Sequence, residues 1–270
     1  MSGPVRLTPS LRDRVWGRKR LAPWFPDAKE PIGEVWYQAD HELPLLVKLI
    51  FTSERLSVQV HPDDGEAGAR GKTEMWHIVE AEPGATIALG FREPITRERL
   101  RQSTRTREIE DLLRWFPVAA GETYFTPAHT VHAIGGGIVL WEIQQNSDVT
   151  YRLWDYGRPR EIHVEQASAI AHLGVHPGPA CPEPNGPGCE LLVRSKHFVT
   201  ETLRLSPDAE IQPAPEKCQM WICLEGCGRL GEELIQPSEV WLLPEAGEQP
   251  VLRAETGMRL LRTYVPGGAN

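Results

Sequence analysis

No cysteine precedes Cys181; the five in the chain, Cys181, Cys189, Cys218, Cys223 and Cys227, are confined to its last third. That distribution excludes a disulfide framework from most of the fold. Cys218, Cys223 and Cys227 also lack the paired C-x2-C spacing of a structural zinc site, so reduced thiols in or near a core are expected. Long apolar runs are missing too. Nothing approaches the ~20 residues of a membrane-spanning helix, and the opening segment MSGPVRLTPSLRDRVW has no signal-peptide core. The expectation is a cytoplasmic protein without a membrane partner. Nor does either sign of charge form a block. With 29 basic and 37 acidic residues the net charge is -8, which argues against nucleic acid as a partner and leaves room for a local basic pocket that binds a small anion.

Turn chemistry, by contrast, is abundant. A chain of 270 residues with 24 Pro and 24 Gly cannot be dominated by long helices. Residues 43–61, LPLLVKLIFTSERLSVQVH, read as an apolar strand, a polar turn and an alternating strand, and MWHIVEAEPGATIALGF, 75–91, repeats that plan. Only 92–116 differs: Leu100, Ile109, Leu112, Leu113 and Phe116 among charges give one or two helices inserted in a β fold, weakened at Thr104 and Thr106. Strands resume at Val118–Phe125, GGIVLWEIQQ and VTYRLWDY. The stretch HLGVHPGPACPEPNGPGCE, 172–190, is the boundary candidate, giving a first domain over 1–170 and a smaller β domain over 171–270. In the latter no histidine follows His197, so no histidine-built metal site is expected, and Trp221 and Trp241 are expected in its core.

The strand SVQVH puts Gln59 and His61 on one face, where an amide oxygen and an imidazole can approach one cation. Glu74, entering the strand of GKTEMWHIV, offers a carboxylate. His132, at the strand start in GETYFTPAHTVHAIGGG, offers a second imidazole. Gln59, His61, Glu74 and His132 make an N2O2 set from three strands, suited to a borderline ion such as zinc in an open, catalytic site rather than a closed, thiolate-rich one. Of the other histidines, His77 faces away from Glu74, His129 lines the mouth or caps the turn, and His163 and His176 read as surface or core residues.

These motifs resemble the cupins: G-x5-P-x-H-x2-H over Gly121–His132 is similar to their second metal motif, and Gln59, His61 and Glu74 to their first. Closer is the similarity to the type I phosphomannose isomerases in their short bacterial form. It is carried by PIGEVW, LSVQVHPDD, GKTEMWHIV with AEPGA, and PAHTVHAIGGGIVLWEIQQNSDVTYRLWDY, over residues 14–160. The resemblance implies a mainly β chain: a cupin-type jelly-roll barrel with a small helical insertion, followed by a smaller cupin-like domain. It implies a monomeric or homodimeric enzyme with one zinc per chain, interconverting mannose 6-phosphate and fructose 6-phosphate through an enediol-type intermediate. The family's ligands fall on Gln59, His61, Glu74 and His132, its active-site lysine on Lys72, its acidic residue on Glu142 and its catalytic arginine on Arg152.

The residues agree with those roles. Arg152 projects opposite Tyr151 and Leu153 and can neutralise charge on oxygen; Lys72, two before Glu74, points to the same pocket. Glu142 can act as a base, orient a hydroxyl or serve as counter-ion to Arg152 or Lys72. Arg92, Arg97 and Arg101 are the candidates for a phosphate. The chain departs from the family pattern at Arg18 and His129, where glycine is usual, and at Tyr37, changes expected to reshape the opening around the sugar. Three alternatives remain at this stage: an isomerase of another sugar or sugar phosphate, an Fe(II) cupin dioxygenase, and a non-catalytic sugar-binding cupin.

Overall fold

The structure, a computed structural model, describes residues 3–68, 70–213, 218–245 and 250–267. The chain divides into two compact units, a larger one of Ser10–Trp36 and Leu45–Ala180 and a smaller one of Met1–Pro9, Tyr37–Pro44 and Cys181–Asn270. Two N-terminal pieces that the sequence places with residues 1–170 therefore group with the C-terminal strands. The reasons are local: Val5–Arg6 pairs antiparallel with the strand Val240–Leu243, and the buried Tyr37 donates its hydroxyl to Ser238 O at 2.6 Å.

Two antiparallel sheets build the larger unit. One runs in the order Tyr151–Trp154, Val58–Val60, His132–Ile134, Thr86–Phe91 and Leu113–Pro117; the other is Thr8–Arg18, Ile32–Gln38, Leu45–Thr52, Ile138–Gln145, Glu74–Ala81 and Thr123–Thr126. Side chains from both, including Ile50, Trp76, Ile87, Leu89, Ile134 and Leu140, form one apolar cluster between them. This is the sandwich of a jelly roll.

The opposite face of the five-stranded sheet is also buried. Val58, Val60, Ala88, Ala133 and Leu153 turn toward Leu100, Ile109 and Ala167, which lie on three short helices, Arg97–Ser103, Glu108–Leu112 and Val164–Ile170. Each fully buried Val or Leu contributes roughly 1.5–3 kcal/mol, so a one-residue slip that exposed Val58 and Val60 is strongly disfavoured. Register therefore fixes the direction of Gln59. The first two helices occupy the segment read as a helical insert, and the first ends at Thr104, where the sequence is weak. Its final residues differ from the reading: Leu113–Pro117 is a strand, paired with Thr86–Phe91. The third helix escapes pattern reading because its buried apolar residue is a single alanine, Ala167.

The smaller unit holds a seven-stranded and a four-stranded antiparallel sheet, with no helix among its described residues. Trp221 and Trp241 are 0% and 4% exposed in its core, beside Cys223, Leu243 and Leu252. All five thiols are free, Cys189 and Cys223 buried. Among the described residues of the chain, no helix is long and apolar enough to cross a membrane.

Candidate metal centre

Strand alternation turns two rows of polar residues into the sandwich. In the five-stranded sheet His132 lies directly opposite Gln59, and Gln59 directly opposite Arg152. In the six-stranded sheet Glu142 lies between Lys48 and Trp76, and Gln144 lies opposite Glu74. The loop between Val60 and Glu74 brings in the rest. Asp64 of the motif HPDD accepts from Gly71 N at 2.8 Å and from Gln145 Nε2 at 3.0 Å. A Cβ at Gly71 would meet the Asp63–Asp64 backbone at 2.6–2.9 Å, so this close approach requires glycine. The tether delivers Lys72 next to Glu74.

His61, Glu74 and His132 are all essentially buried and present ligand atoms within 4.8 Å of one another. His61 Nε2 is 3.7 Å from Glu74 Oε2, and His132 Nε2 is 3.4 Å from Glu74 Oε1. Ligands at about 2.0–2.1 Å from a tetrahedral zinc are separated by about 3.3 Å, so these spacings fit one ion. Glu74 Oε1 is moreover buried without a hydrogen-bond partner, a costly arrangement that a cation relieves. Each imidazole has its other nitrogen committed: His61 Nδ1 donates to Val149 O at 2.9 Å and His132 Nδ1 to Thr130 O at 2.8 Å. Both Nε2 lone pairs therefore face the cluster. Gln59 joins it with its amide 3.3 Å from His132 Nε2, and Ser57 Oγ bonds the amide's other end at 3.0 Å. Turning the amide over would present its oxygen to the metal and let its nitrogen donate to Ser57. The donor set fits zinc.

Burial sets the charges. It holds His132 down at about 4 and, helped by the ammonium of Lys72, holds His61 well below the usual histidine range, so both are neutral and ready to ligate near pH 7. Burial raises Glu74 to about 7 against the pull of Lys72. For Glu142 burial is overcome by Lys48 and Lys72, which bring its carboxyl to about 2. Lys48 Nζ donates to Glu142 Oε1 at 2.9 Å and Trp76 Nε1 to Oε2 at 3.2 Å. Lys72 Nζ donates to Glu74 Oε2 at 2.5 Å and lies 3.7 Å from Glu142. Despite its burial Lys72 has a raised pKa, because Glu142 and Glu74 hold its charge.

A cavity of about 230 Å³ opens beside this cluster, lined by Gln59, Lys72, Glu142 and Arg152 together with Lys48, Trp16 and Trp36. The structure thus brings together every residue of the expected metal and catalytic sets. Glu142 is counter-ion to Lys48 and approaches Lys72, with no ion pair to Arg152 among the described residues. Other expectations are corrected. Arg92, Arg97 and Arg101 do not line the cavity; Arg92 bonds Leu113 O instead, and Arg97 and Arg101 bond Ser168 O and Glu165, tying the first helix to the third. The three departures from the family pattern lie off the cavity as well: Arg18 pairs with Glu80, Tyr37 bonds Ser238 O, and His129 Nε2 lies 2.7 Å from Glu66. His129 has φ 72, the left-handed region that glycine fills most readily. Lys48 was missed by the reading of motifs. Its signal was available, as the single charge in LPLLVKLIF, a strand buried from end to end.

No family model matches the chain. A mannose-6-phosphate isomerase from Streptococcus mutans is 30% identical to it, in an alignment that covers 89% of this chain and 94% of that protein. The chain belongs to the type I mannose-6-phosphate isomerases. Among solved structures, the mannose 6-phosphate isomerase of Bacillus subtilis superposes with a TM-score of 0.85 at 25% identity, covering 97% of this chain and 99% of that one. A putative mannosephosphate isomerase from Archaeoglobus fulgidus, 19% identical, shares the fold at a TM-score of 0.77 over 98% of both chains. The family's cupin-like architecture is the one described above.

Proposed function

We propose that the chain interconverts mannose 6-phosphate and fructose 6-phosphate, with Gln59, His61, Glu74 and His132 as ligands of one zinc ion and Lys72, Glu142 and Arg152 as catalytic residues. One observation carries the reading. Of the cavity cations, Arg14, Lys48, Lys72 and Arg160 each have a carboxylate partner, whereas Arg152, on the strand beside Gln59, has none within 4.0 Å among the described residues. A guanidinium kept free of counter-ions next to a metal cluster is suited to negative charge brought or formed by a substrate.

Bound zinc supplies a Lewis acid that polarises sugar oxygens at C1 and C2. Aldose–ketose isomerisation moves a proton between those carbons while negative charge develops on oxygen. Lys72 stays protonated and donates hydrogen bonds to that oxygen. Glu142, with one oxygen on Lys48 and the other on Trp76, keeps the ammonium groups charged and in place. Arg152 neutralises the enediolate, and Trp16 and Trp36 wall the cavity against water. Arg160 lines the same cavity, and its charge, after burial, lowers the pKa of Arg152. We assign the substrate phosphate to this positive field. A phosphorylated sugar does not cross membranes, which supports a cytoplasmic chain, acting as monomer or homodimer.

The test is turnover of the purified protein on mannose 6-phosphate, mannose and glucose 6-phosphate, with ketose followed by proton NMR. Mannose 6-phosphate is expected to react far faster than the other two. Efficient turnover of free mannose with no preference for its phosphate would refute the substrate class and leave the isomerase chemistry standing.

A further inference from the structure

Three hydrogen bonds tie Arg152 to a segment that the mechanism above does not use. Arg152 N donates to the ring nitrogen His163 Nδ1 at 3.1 Å. His163 N donates to Arg152 O at 2.7 Å. Arg152 Nη1 donates to Glu161 O at 2.9 Å. The topology gives these bonds their importance. Tyr151–Trp154 is the edge strand of the five-stranded sheet and pairs with Val58–Val60 on one side only. The outward backbone groups of Arg152 have no strand to receive them, and an edge strand held from one side can shift or peel.

We propose that His163 is a positioning residue for Arg152: its ring nitrogen and backbone N–H substitute for the missing neighbouring strand and hold the arginine beside Gln59. The ring's acceptor nitrogen is not spent on capping the helix that follows. His163 is the N-cap residue of the helix Val164–Ile170, yet its side chain makes no cap bond to that helix. Accepting the Arg152 N–H requires a lone pair on Nδ1, which fixes the neutral tautomer with its proton on Nε2. That proton points toward Glu161 Oε2, 3.7 Å away. The carbonyl of Glu161 meanwhile receives the guanidinium, so one short segment restrains both ends of the arginine. What remains free is the rest of the guanidinium, with Nε buried and unpartnered. A displacement of this group by a fraction of an ångström weakens its grip on a transition state, since charge stabilisation depends on fixed geometry.

The inference rests on the isomerase reading, and its test separates the two. Zinc-loaded wild type, His163→Ala, His163→Asn, Arg152→Ala and the double variant are assayed on mannose 6-phosphate. The amide oxygen of asparagine can stand where Nδ1 stands and accept the same bond. His163→Ala is expected to lower kcat about 10-fold or more with zinc content unchanged, His163→Asn to restore most of it, and His163→Ala to add little in the Arg152→Ala background. An equal loss in both backgrounds, or an asparagine variant as impaired as the alanine one, would overturn the proposal. Nitrogen NMR of the His163 ring and hydrogen exchange at the Arg152 amide give a readout that needs no turnover. An unprotonated, hydrogen-bonded Nδ1 and a protected amide that His163→Ala exposes support the clamp even if the wild type proves inactive. A protonated Nδ1 or an unprotected amide in the wild type refutes it.

Discussion

Arg152 stands directly across the ladder from Gln59, which in turn stands directly across from His132. Antiparallel pairing therefore places two proposed metal ligands and Arg152, whose guanidinium has no carboxylate within 4.0 Å among the described residues, in one row on three adjacent strands. Geometry of this kind predicts separable effects. Arg152→Ala should lower turnover by about 10²-fold or more while metal analysis still finds one zinc per chain, because the ladder and not the side chain holds Gln59. Arg152→Lys keeps the charge but loses the planar fork, and should recover only part of the loss.

Metal removal should destabilise the protein. Without a cation the neutral imidazoles and Glu74 Oε1 stay buried with no partner for the carboxylate oxygen. An ion that binds only the folded chain adds about 2.7 kcal/mol when present at 100 times its dissociation constant. Chelation should lower the melting temperature and zinc should restore it, whereas His61→Ala with His132→Ala should show neither response.

Zinc affinity should depend on pH through Glu74. Its carboxyl is raised to about 7 by burial, so below that pH a proton competes with the ion, and above it the carboxylate is free. His132, held at about 4 by burial, and His61, held by burial and Lys72 well below the usual histidine range, do not compete near neutrality. Apparent affinity, measured against a competing chelator, should rise about tenfold per unit from pH 5 to 7 and level off beyond. A flat profile over that range would count against Glu74 as a ligand.

Lys48→Met should be costly although Lys48 is not among the proposed metal ligands. Lys48 is 3% exposed and bonds Glu142 Oε1 at 2.9 Å. Breaking a buried pair by removing one partner costs about 3–5 kcal/mol. Glu142, whose carboxyl sits at about 2 against an ordinary 4.5, contributes stability that is present above pH 4.5 and lost as pH falls toward 2. In the methionine variant that window should move to higher pH, visible as acid unfolding that begins earlier.

His129→Gly tests the opposite case. The residue holds φ 72 and lies outside the cavity lining. Glycine removes a backbone strain of order 1 kcal/mol and loses the contact with Glu66, so stability should change little and turnover not at all.

The clustering of the proposed ligand side chains was legible because period-two alternation is a strong local rule: Val58 and Val60 had to face one way, which left Gln59 and His61 the other, beside Glu74 and His132. Lys72 and Glu74 were paired by the same spacing, although a loop tether and not a strand sets Lys72 beside Glu74. The cations were harder. Arg92, Arg97 and Arg101 looked available beside a helical insert, but they lie off the cavity and bond Leu113 O, Ser168 O and Glu165, partners that only the folded chain brings near. His163 carries no sequence signal for its bond to Arg152, since it lies 11 residues away across a loop. His129 shows the reverse limit: the family resemblance marked it as unusual, and only the backbone angle and the cavity lining showed that the anomaly concerns a turn and not the pocket.

The central claim meets its most direct test in a zinc titration of metal-free protein, with fructose 6-phosphate formed from mannose 6-phosphate followed by proton NMR. Turnover should start near zero, rise in proportion to zinc and stop rising at one ion per chain. Full turnover without metal, or no ketose at any zinc level with iron and oxygen consuming the sugar instead, would contradict it.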